Sequence, residues 1–337
     1  MKYECGLYGG SFNPLHKGHL ECMIKASGMC EKLIVVISSG KYRNEVDVKV
    51  RYRWVYELTK HIGNVKIFVL EDDAKSKDLY SEDYWKADSE KVKKFAGQKI
   101  DAVFCGSDYD ENSFWKKCYP ESELVIFNRN EISSTEIRND IYGHWDWLPD
   151  CVKPYFVKKV LLIGGESEGK SVMTQNLANY YGTKFLEEVG RDLSEKSGTD
   201  VMMLSEDFTE ILLAHKLKEM QVIKGCNKVL FEDTDCLITK FFIDFLNDEN
   251  AKKNSKLAEA IAVINEYDLI VFLDSDDVKF VQDGDRSEEI ARNRKKYDEK
   301  IKKIYRDNGF DFIEVKGDYN ERFDKIKELV DEMLRAK

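Results

Sequence analysis

The sequence predicts an α/β protein built from two doubly wound parallel-sheet domains. Three observations carry that prediction. Both halves alternate short apolar runs with segments of helical spacing, as a parallel sheet covered by helices on both faces requires. Each half opens on a glycine-containing loop set between a strand-like run and a helix-like one, Gly9 to His19 in the first and Gly164 to Ser171 in the second. A length of 337 residues lets each half bury a core of its own.

In the first half, residues 2–8, 32–38, 65–70, 100–105 and 123–127 read as short buried strands, because each is apolar and brief. Between them, 19–29, 50–59 and 89–95 have helical spacing. The second half repeats the theme with strands at 159–163, 184–186, 228–231, 269–273 and 310–315. Helices are expected at 170–181, 205–223, 237–246, 255–266, 291–307 and 320–334. The boundary falls in the stretch His144 to Val157, which holds two of the four prolines together with Trp145, Trp147, Tyr155 and Phe156. Those aromatic residues suggest a packed junction and give domains 1–150 and 151–337. No internal repeat or low-complexity tract is evident.

Composition narrows the function classes. Net charge is −10, and no basic tract stands apart from acidic neighbours, which argues against non-specific nucleic-acid binding. No run of about 18 apolar residues exists, so no membrane span is expected. The first residues lead into a strand without an apolar signal region. None of the eight cysteines forms a Cys-x-x-Cys pair, so they read as reduced, packed thiols of a cytoplasmic protein. Long surface helices permit a homo-oligomer but dictate none.

The first loop runs Gly9-Gly10-Ser11-Phe12-Asn13-Pro14-Leu15-His16-Lys17-Gly18-His19. Gly9 and Gly10 let a nucleotide approach the backbone closely, and His16 and His19 fall on the opening turn of a helix whose N-terminus attracts phosphate. A second element, Ile132-Ser133-Ser134-Thr135-Glu136-Ile137-Arg138, reads as a capping box with Ser133 as N-cap and Glu136 three residues on. A capped helix start of that kind presents Ser134, Thr135 and Arg138 to an anion. Gly106-Ser107-Asp108 reads equally as an ordinary strand-to-helix turn or as a ribose-contacting loop. Trp85 offers a ring that stacks on a flat heteroaromatic group or fills the core, and Trp115, seven residues past Asp108, is a second candidate.

The second loop, Gly164-Gly165-Glu166-Ser167-Glu168-Gly169-Lys170-Ser171, fits Gly-x-x-x-x-Gly-Lys-Ser in the strand–loop–helix setting which that motif requires. Its backbone N–H groups from Gly165 to Val172 would cradle the phosphates of ATP, Lys170 would reach the β- and γ-phosphates, and Ser171 would ligate Mg²⁺. Asp233 and Asp235 follow a buried strand at the end that faces the ligand crevice of an open sheet, which suits them to magnesium water or to acceptor hydroxyls. Glu188 and Arg191 offer an acid and an arginine to the acceptor, and Arg286 is placed to close over a transferring phosphoryl group. The residues leave open which carboxylate accepts the hydroxyl proton.

The first motifs resemble those of the His-x-Gly-His nucleotidyltransferases. By that resemblance the histidines would contact the reacting phosphate of ATP and the Ser-Thr-Arg turn would hold its pyrophosphate end. The order and content of the whole chain resemble the bifunctional NadR-type family of NAD synthesis. The telling pieces are Tyr142-Gly-His-Trp-Asp-Trp-Leu-Pro149, the second loop, Glu188-Val-Gly-Arg-Asp192, Asp233-Thr-Asp235 and Asp283-Gly-Asp-Arg-Ser287. The resemblance implies a Rossmann-like nucleotidyltransferase followed by a P-loop kinase. The second domain would phosphorylate nicotinamide riboside to nicotinamide mononucleotide, and the first would adenylylate that product to NAD, each with Mg²⁺ and ATP. Some members carry a further DNA-binding domain before the first strand; since that strand begins at residue 2, it is expected to be absent. Two other readings are an adenylyltransferase beside a weakened or differently specific kinase, and a non-enzymatic ATP or NAD sensor. Intact His16, His19, Arg138, Lys170, Ser171 and Asp233 weigh against both.

Overall fold

A computed structural model describes residues 1–40, 43, 45–72, 81–106, 112–128, 132–197, 203–247, 249, 251–276, 278–281 and 287–336. The chain divides into two compact units, Met1–Lys153 and Pro154–Ala336.

The first unit runs β1 (Tyr3–Gly10), α1 (Lys17–Met29), β2 (Cys30–Gly40), α2 (Val48–Thr59), β3 (Val65–Asp72), α3 (Glu82–Ala96), β4 (Ala102–Gly106), α4 (Phe114–Cys118), β5 (Glu123–Phe127) and α5 (Ser134–Asn139). Its strands pair in the order β3-β2-β1-β4-β5, and every pairing is parallel. Central strands of such a sheet are covered on both faces, which is why Leu33-Ile-Val-Val-Ile37 is an unbroken apolar run with no exposed residue. The order reverses between β1 and β4, so the crevice at their carboxyl ends is where a ligand fits.

The second unit runs β6 (Lys158–Ile163), α6 (Lys170–Tyr181), β7 (Phe185–Leu186), α7 (Arg191–Ser197), α8 (Ser205–Val222), β8 (Val229–Asp233), α9 (Cys236–Leu246), α10 (Lys252–Ile264), β9 (Leu269–Leu273), α11 (Glu288–Arg292), α12 (Arg294–Asp307), β10 (Ile313–Val315) and α13 (Tyr319–Arg335). Its parallel sheet has the order β10-β9-β6-β8-β7. The two-residue period of β6 separates two cores. Leu161 and Ile163 pack with Phe241 of α9, Ala258 of α10 and Tyr297 of α12, while Val160 and Leu162 pack with Leu177 of α6 and Ile326 of α13.

The expected strands and helices form, with three instructive shifts in extent. Helix α3 begins at Glu82, not 89, because four of its first seven residues are charged and hide the apolar period. The expected helix 291–307 is two helices broken at Asn293, whose φ of −129° is not helical. Of 310–315 only Ile313–Val315 joins the sheet, since Phe310 and Phe312 are packed against the helical core instead. The eight cysteines form no disulfide, and Cys151 is the one that is not fully buried. Among the described residues no helix is long and apolar enough to cross a membrane.

Candidate active sites

At the first site β1 ends in the glycine pair and the chain loops back into α1. His16 is the N-cap of α1, and its Nδ1 accepts from the His19 N–H at 3.3 Å. The two imidazoles stack with centroids 3.7 Å apart, and Phe12 meets His19 edge to face at 5.0 Å. Phe12 adopts φ +51°, in the left-handed region that a bulky residue enters only when its surroundings impose it. Gly9 has no room for a side chain: a Cβ there would lie 2.5 Å from Trp115 Cη2.

Helix α5 docks on that loop. Ser133 caps it by accepting from the Glu136 N–H at 3.2 Å, and its hydroxyl meets Glu136 Oε2 at 3.1 Å, so the expected N-cap forms. Ser134 Oγ donates to the Pro14 carbonyl at 3.2 Å, and Arg138 donates to the Asn13 carbonyl at 2.5 Å and to Thr135 Oγ1 at 3.0 Å. Ile132 lies against Gly18. The two motifs, more than a hundred residues apart in sequence, therefore form one surface. Arg51 of α2 holds it from below. Its side chain is 1% exposed and donates to the carbonyls of Ser11 at 2.6 Å, Ser38 at 2.9 Å and Val46 at 2.7 Å, with Glu45 3.1 Å away.

At the second site Lys170 Nζ donates to the Gly165 carbonyl at 2.7 Å. Gly164 has φ +151°, and a Cβ there would sit 2.8 Å from the Leu273 carbonyl oxygen. Arg191 donates to Ser171 Oγ at 3.3 Å and faces Glu188 at 3.6 Å. Asp233, at the end of β8, is 1% exposed, and its Oδ1 has no protein partner. Burial and the neighbouring Glu188 charge raise its pKa to about 6, against the pull of Lys170 and a hydrogen bond with Ser171. A cavity of about 410 Å³ joins the loop, Glu188 and Arg191 to an apolar wall from α8 and α9 that includes Phe208, Ile211, Phe241 and Phe242. Arg322 of α13 is the counterpart of Arg51. It is buried, and it donates to the carbonyls of Glu168 at 3.2 Å, Asp274 at 2.6 Å and Gly317 at 2.8 Å.

A model for cytidylyltransferase-like domains matches residues 7–140, and one for AAA domains matches residues 159–322. The chain is 28% identical over 353 residues to the trifunctional NAD biosynthesis/regulator protein NadR of Escherichia coli (strain K12), a match that covers 99% of this chain and 84% of that one. The protein of the same description from Salmonella typhimurium is also 28% identical, with 98% and 83% covered. Over nearly its whole length the chain is similar to these NadR proteins. Two solved structures share its fold at 19% identity: NadR in complex with NR (TM-score 0.81, covering 100% of this chain and 97% of that one) and NadR in complex with NAD and AMP-PNP (0.80, 99% and 97%).

The structure sorts the residues singled out by sequence. Gly9, Gly10, Phe12, His16, His19, Ile132, Ser133, Ser134, Thr135 and Arg138 fall within the two docked motifs just described. Gly106 ends β4, whereas Asp108 and Arg286 lie outside the described residues. Trp85 and Trp115 meet edge to face at 5.1 Å, and Trp85 also stacks on Phe114 at 5.6 Å. Both pack against the core beneath β1, so core filling accounts for much of their surface.

In the second loop, Glu166 accepts from the Ser287 N–H at 3.1 Å, and Ser167, at φ +61°, accepts from the Val281 N–H at 2.7 Å. Those side chains hold neighbouring segments and leave only their backbone to a phosphate. Gly169 is the left-handed N-cap of α6, and Val172 is an exposed residue of its first turn. The Glu168 side chain points inward and accepts from the Gly165 N–H at 2.7 Å, which leaves its backbone N–H to the loop. Burial raises its pKa to about 8, and nearby Asp298 adds to the rise.

Asp235 is a second correction. Its Oδ1 accepts from the Leu237 N–H at 2.9 Å and from Tyr305 Oη at 2.5 Å, and its Oδ2 accepts from Tyr267 Oη at 3.1 Å. It caps α9 and has no oxygen left for a nucleoside. The turn at Thr234, with φ +66°, sends Asp233 toward the loop and Asp235 into the helix start. Sequence reasoning missed Arg51, Arg322 and His215, a buried residue of α8 in the cavity wall.

Proposed function

We propose that the chain makes NAD in two steps, phosphorylating nicotinamide riboside in the second unit and adenylylating nicotinamide mononucleotide in the first. The observation that carries the reading is a glycine-containing loop in each unit, set at a helix N-terminus with cationic side chains beside it. The NAD-synthesis description of the NadR relatives, and the NR and NAD bound in the two NadR structures, support the choice of substrates.

In the second unit the 5′-oxygen of the riboside attacks the γ-phosphorus of ATP. A P–O bond forms, the bond to the bridging β-oxygen breaks, and the hydroxyl proton passes to the Glu188–Asp233 carboxylate pair. Lys170 balances the charge on the phosphates, and the N–H groups of the loop and of α6 orient them. The donor set suits Mg²⁺: Ser171 Oγ and the partnerless Asp233 Oδ1 are hard oxygens, and one or two such ligands suffice where substrate phosphates and water complete the shell. Mg²⁺ would neutralise charge on the phosphate oxygens when bound. In the first unit a phosphate oxygen of the mononucleotide attacks the α-phosphorus of ATP and pyrophosphate leaves, so no proton need move. His16 and His19 offer ring N–H groups to the reacting phosphate, and Thr135 and Arg138 hold the departing end.

Incubating the protein with Mg²⁺-ATP and nicotinamide riboside, and separating products by time, tests the reading. Mononucleotide should appear first and NAD after it. NAD formed only from supplied mononucleotide would refute the kinase half.

A further inference from the structure

Helix α8 is apolar on two faces. Phe208, Ile211 and Leu212 are buried on the inner one, where the cavity wall and the core beneath it require them. Leu213, Leu217 and Met220 lie on the outer one and are 49%, 59% and 57% exposed. Together with Glu206, Glu210 and Lys224 they recur at alternating intervals of four and three residues, the spacing of a seam that one helix presents to another. Lys224 stands in the short 3-10 turn Ile223–Gly225 that continues the helix. Lys216 donates to Asn265 Oδ1 at 2.8 Å, which sets the end of α10 beside α8, and there Val263 and Ile264 are exposed as well. A lone exposed leucine is ordinary on a protein surface, but five large apolar residues on two adjacent helices mark a face that something covers.

The charges at its two ends say what that is. Glu206 and Glu210 precede the apolar segment and Lys224 follows it, and all three are exposed and make no ion pair among the described residues. Glu210 and Lys224 each stand seven residues from Leu217, two helical turns away on the same face. A second α8 laid antiparallel about a two-fold axis at Leu217 therefore sets Glu210 beside Lys224 at both ends and Leu213 beside Met220. Laid parallel, the same helices bring acid to acid and base to base. We propose that the outer face of α8 joins two copies of this chain, packed antiparallel about Leu217. The 18 residues of α8 span about 27 Å, and with α10 alongside the face is about 20 Å wide. That is about 500 Å² in plan, close to the roughly 600 Å² per partner at which stable interfaces begin. None of the outer residues belongs to either phosphate site, so the inference stands apart from the reactions proposed above.

Sedimentation equilibrium of the purified full chain at about 10 µM tests it. Wild type should be a dimer, and Leu217→Glu, which sets two carboxylates face to face at the axis, should be a monomer. Glu210→Lys or Lys224→Glu alone should raise the dimer Kd about tenfold, because the two-fold axis makes every change count twice. The double exchange, Glu210→Lys with Lys224→Glu, should return to within about threefold of wild type. All the substituted residues are exposed, so far-UV circular dichroism should match wild type and show each variant folded. A monomeric wild type, a dimer that survives Leu217→Glu, or single reversals that the double exchange does not restore would each overturn the proposal. So would a monomer that sediments with phosphatidylglycerol vesicles only while Leu217 is intact, since the face would then belong to a membrane.

Discussion

Replacing Arg51 with Met should damage the first unit far more than its place on a surface-like helix suggests. Its guanidinium makes contacts of 2.6, 2.7 and 2.9 Å with three carbonyl oxygens, and Glu45 lies 3.1 Å away with a side chain 13% exposed. Met fills a similar length but leaves those acceptors without their cation. Breaking a buried ion pair from one side costs about 3–5 kcal/mol. At about 2–4 °C per kcal/mol for a unit of this size, the melting temperature should fall by about 6–20 °C. Ser11, one of the three acceptors, lies within the glycine loop. Adenylyl transfer measured below the new melting point should therefore fall at least about tenfold through misplacement of the loop. Lys keeps the charge but cannot reproduce the fork, so Arg51→Lys should fall between. Calorimetry with both product assays gives the answer. An Arg51→Met protein that melts within about 2 °C of wild type and makes NAD within twofold would refute the reasoning.

Gly9→Ala would put a Cβ 2.5 Å from Trp115 Cη2, so NAD formation from mononucleotide should fall while riboside phosphorylation, assayed in parallel, stays unchanged. Gly164→Ala would collide with Glu168 Oε2 at 2.3 Å and with the Leu273 carbonyl at 2.8 Å, and kinase assays should show the opposite pattern. Asp235→Ala removes the cap of α9 and the acceptor of two buried tyrosine hydroxyls; thermal scans should show a loss of about 3 kcal/mol. Burial raises the Glu168 pKa to about 8 from an ordinary 4.5, so the native state holds its proton more tightly than the unfolded chain does. Its contribution is complete below 4.5 and is lost as pH rises through about 8. Melting curves between pH 5 and 9 should accordingly fall less steeply for Glu168→Gln than for wild type, and parallel curves would contradict the assignment.

The features legible in the sequence are those that chemistry fixes at short range. A phosphate loop needs glycine where the backbone must turn left-handed or approach closely, and Gly9, Gly164 and Gly169 announce it. The cap at Ser133 is equally local. Buried parallel strands reveal themselves because both faces are apolar, as in β2. The sequence is silent where the role depends on chain segments far away. Arg51 and Arg322 look like solvated residues of amphipathic helices, and it takes carbonyls of distant segments, at Ser11 and Ser38 or at Glu168 and Asp274, to draw them inward. His215 sits in α8 among charged residues and lines a cavity that needs α9 to form it. Asp233 and Asp235 look alike in sequence; one positive φ between them sends the first to the loop and the second into a helix cap. Glu168 reads as a loop residue, yet the Gly165 N–H draws it inward.

The most direct test of two independent sites on one chain is a pair of single substitutions read on both reactions. With purified His19→Ala, riboside phosphorylation should continue at the wild-type rate while NAD formation from mononucleotide disappears. With Lys170→Ala the pattern should invert, NAD forming from supplied mononucleotide but not from riboside. Loss of both reactions in either folded variant would contradict the account.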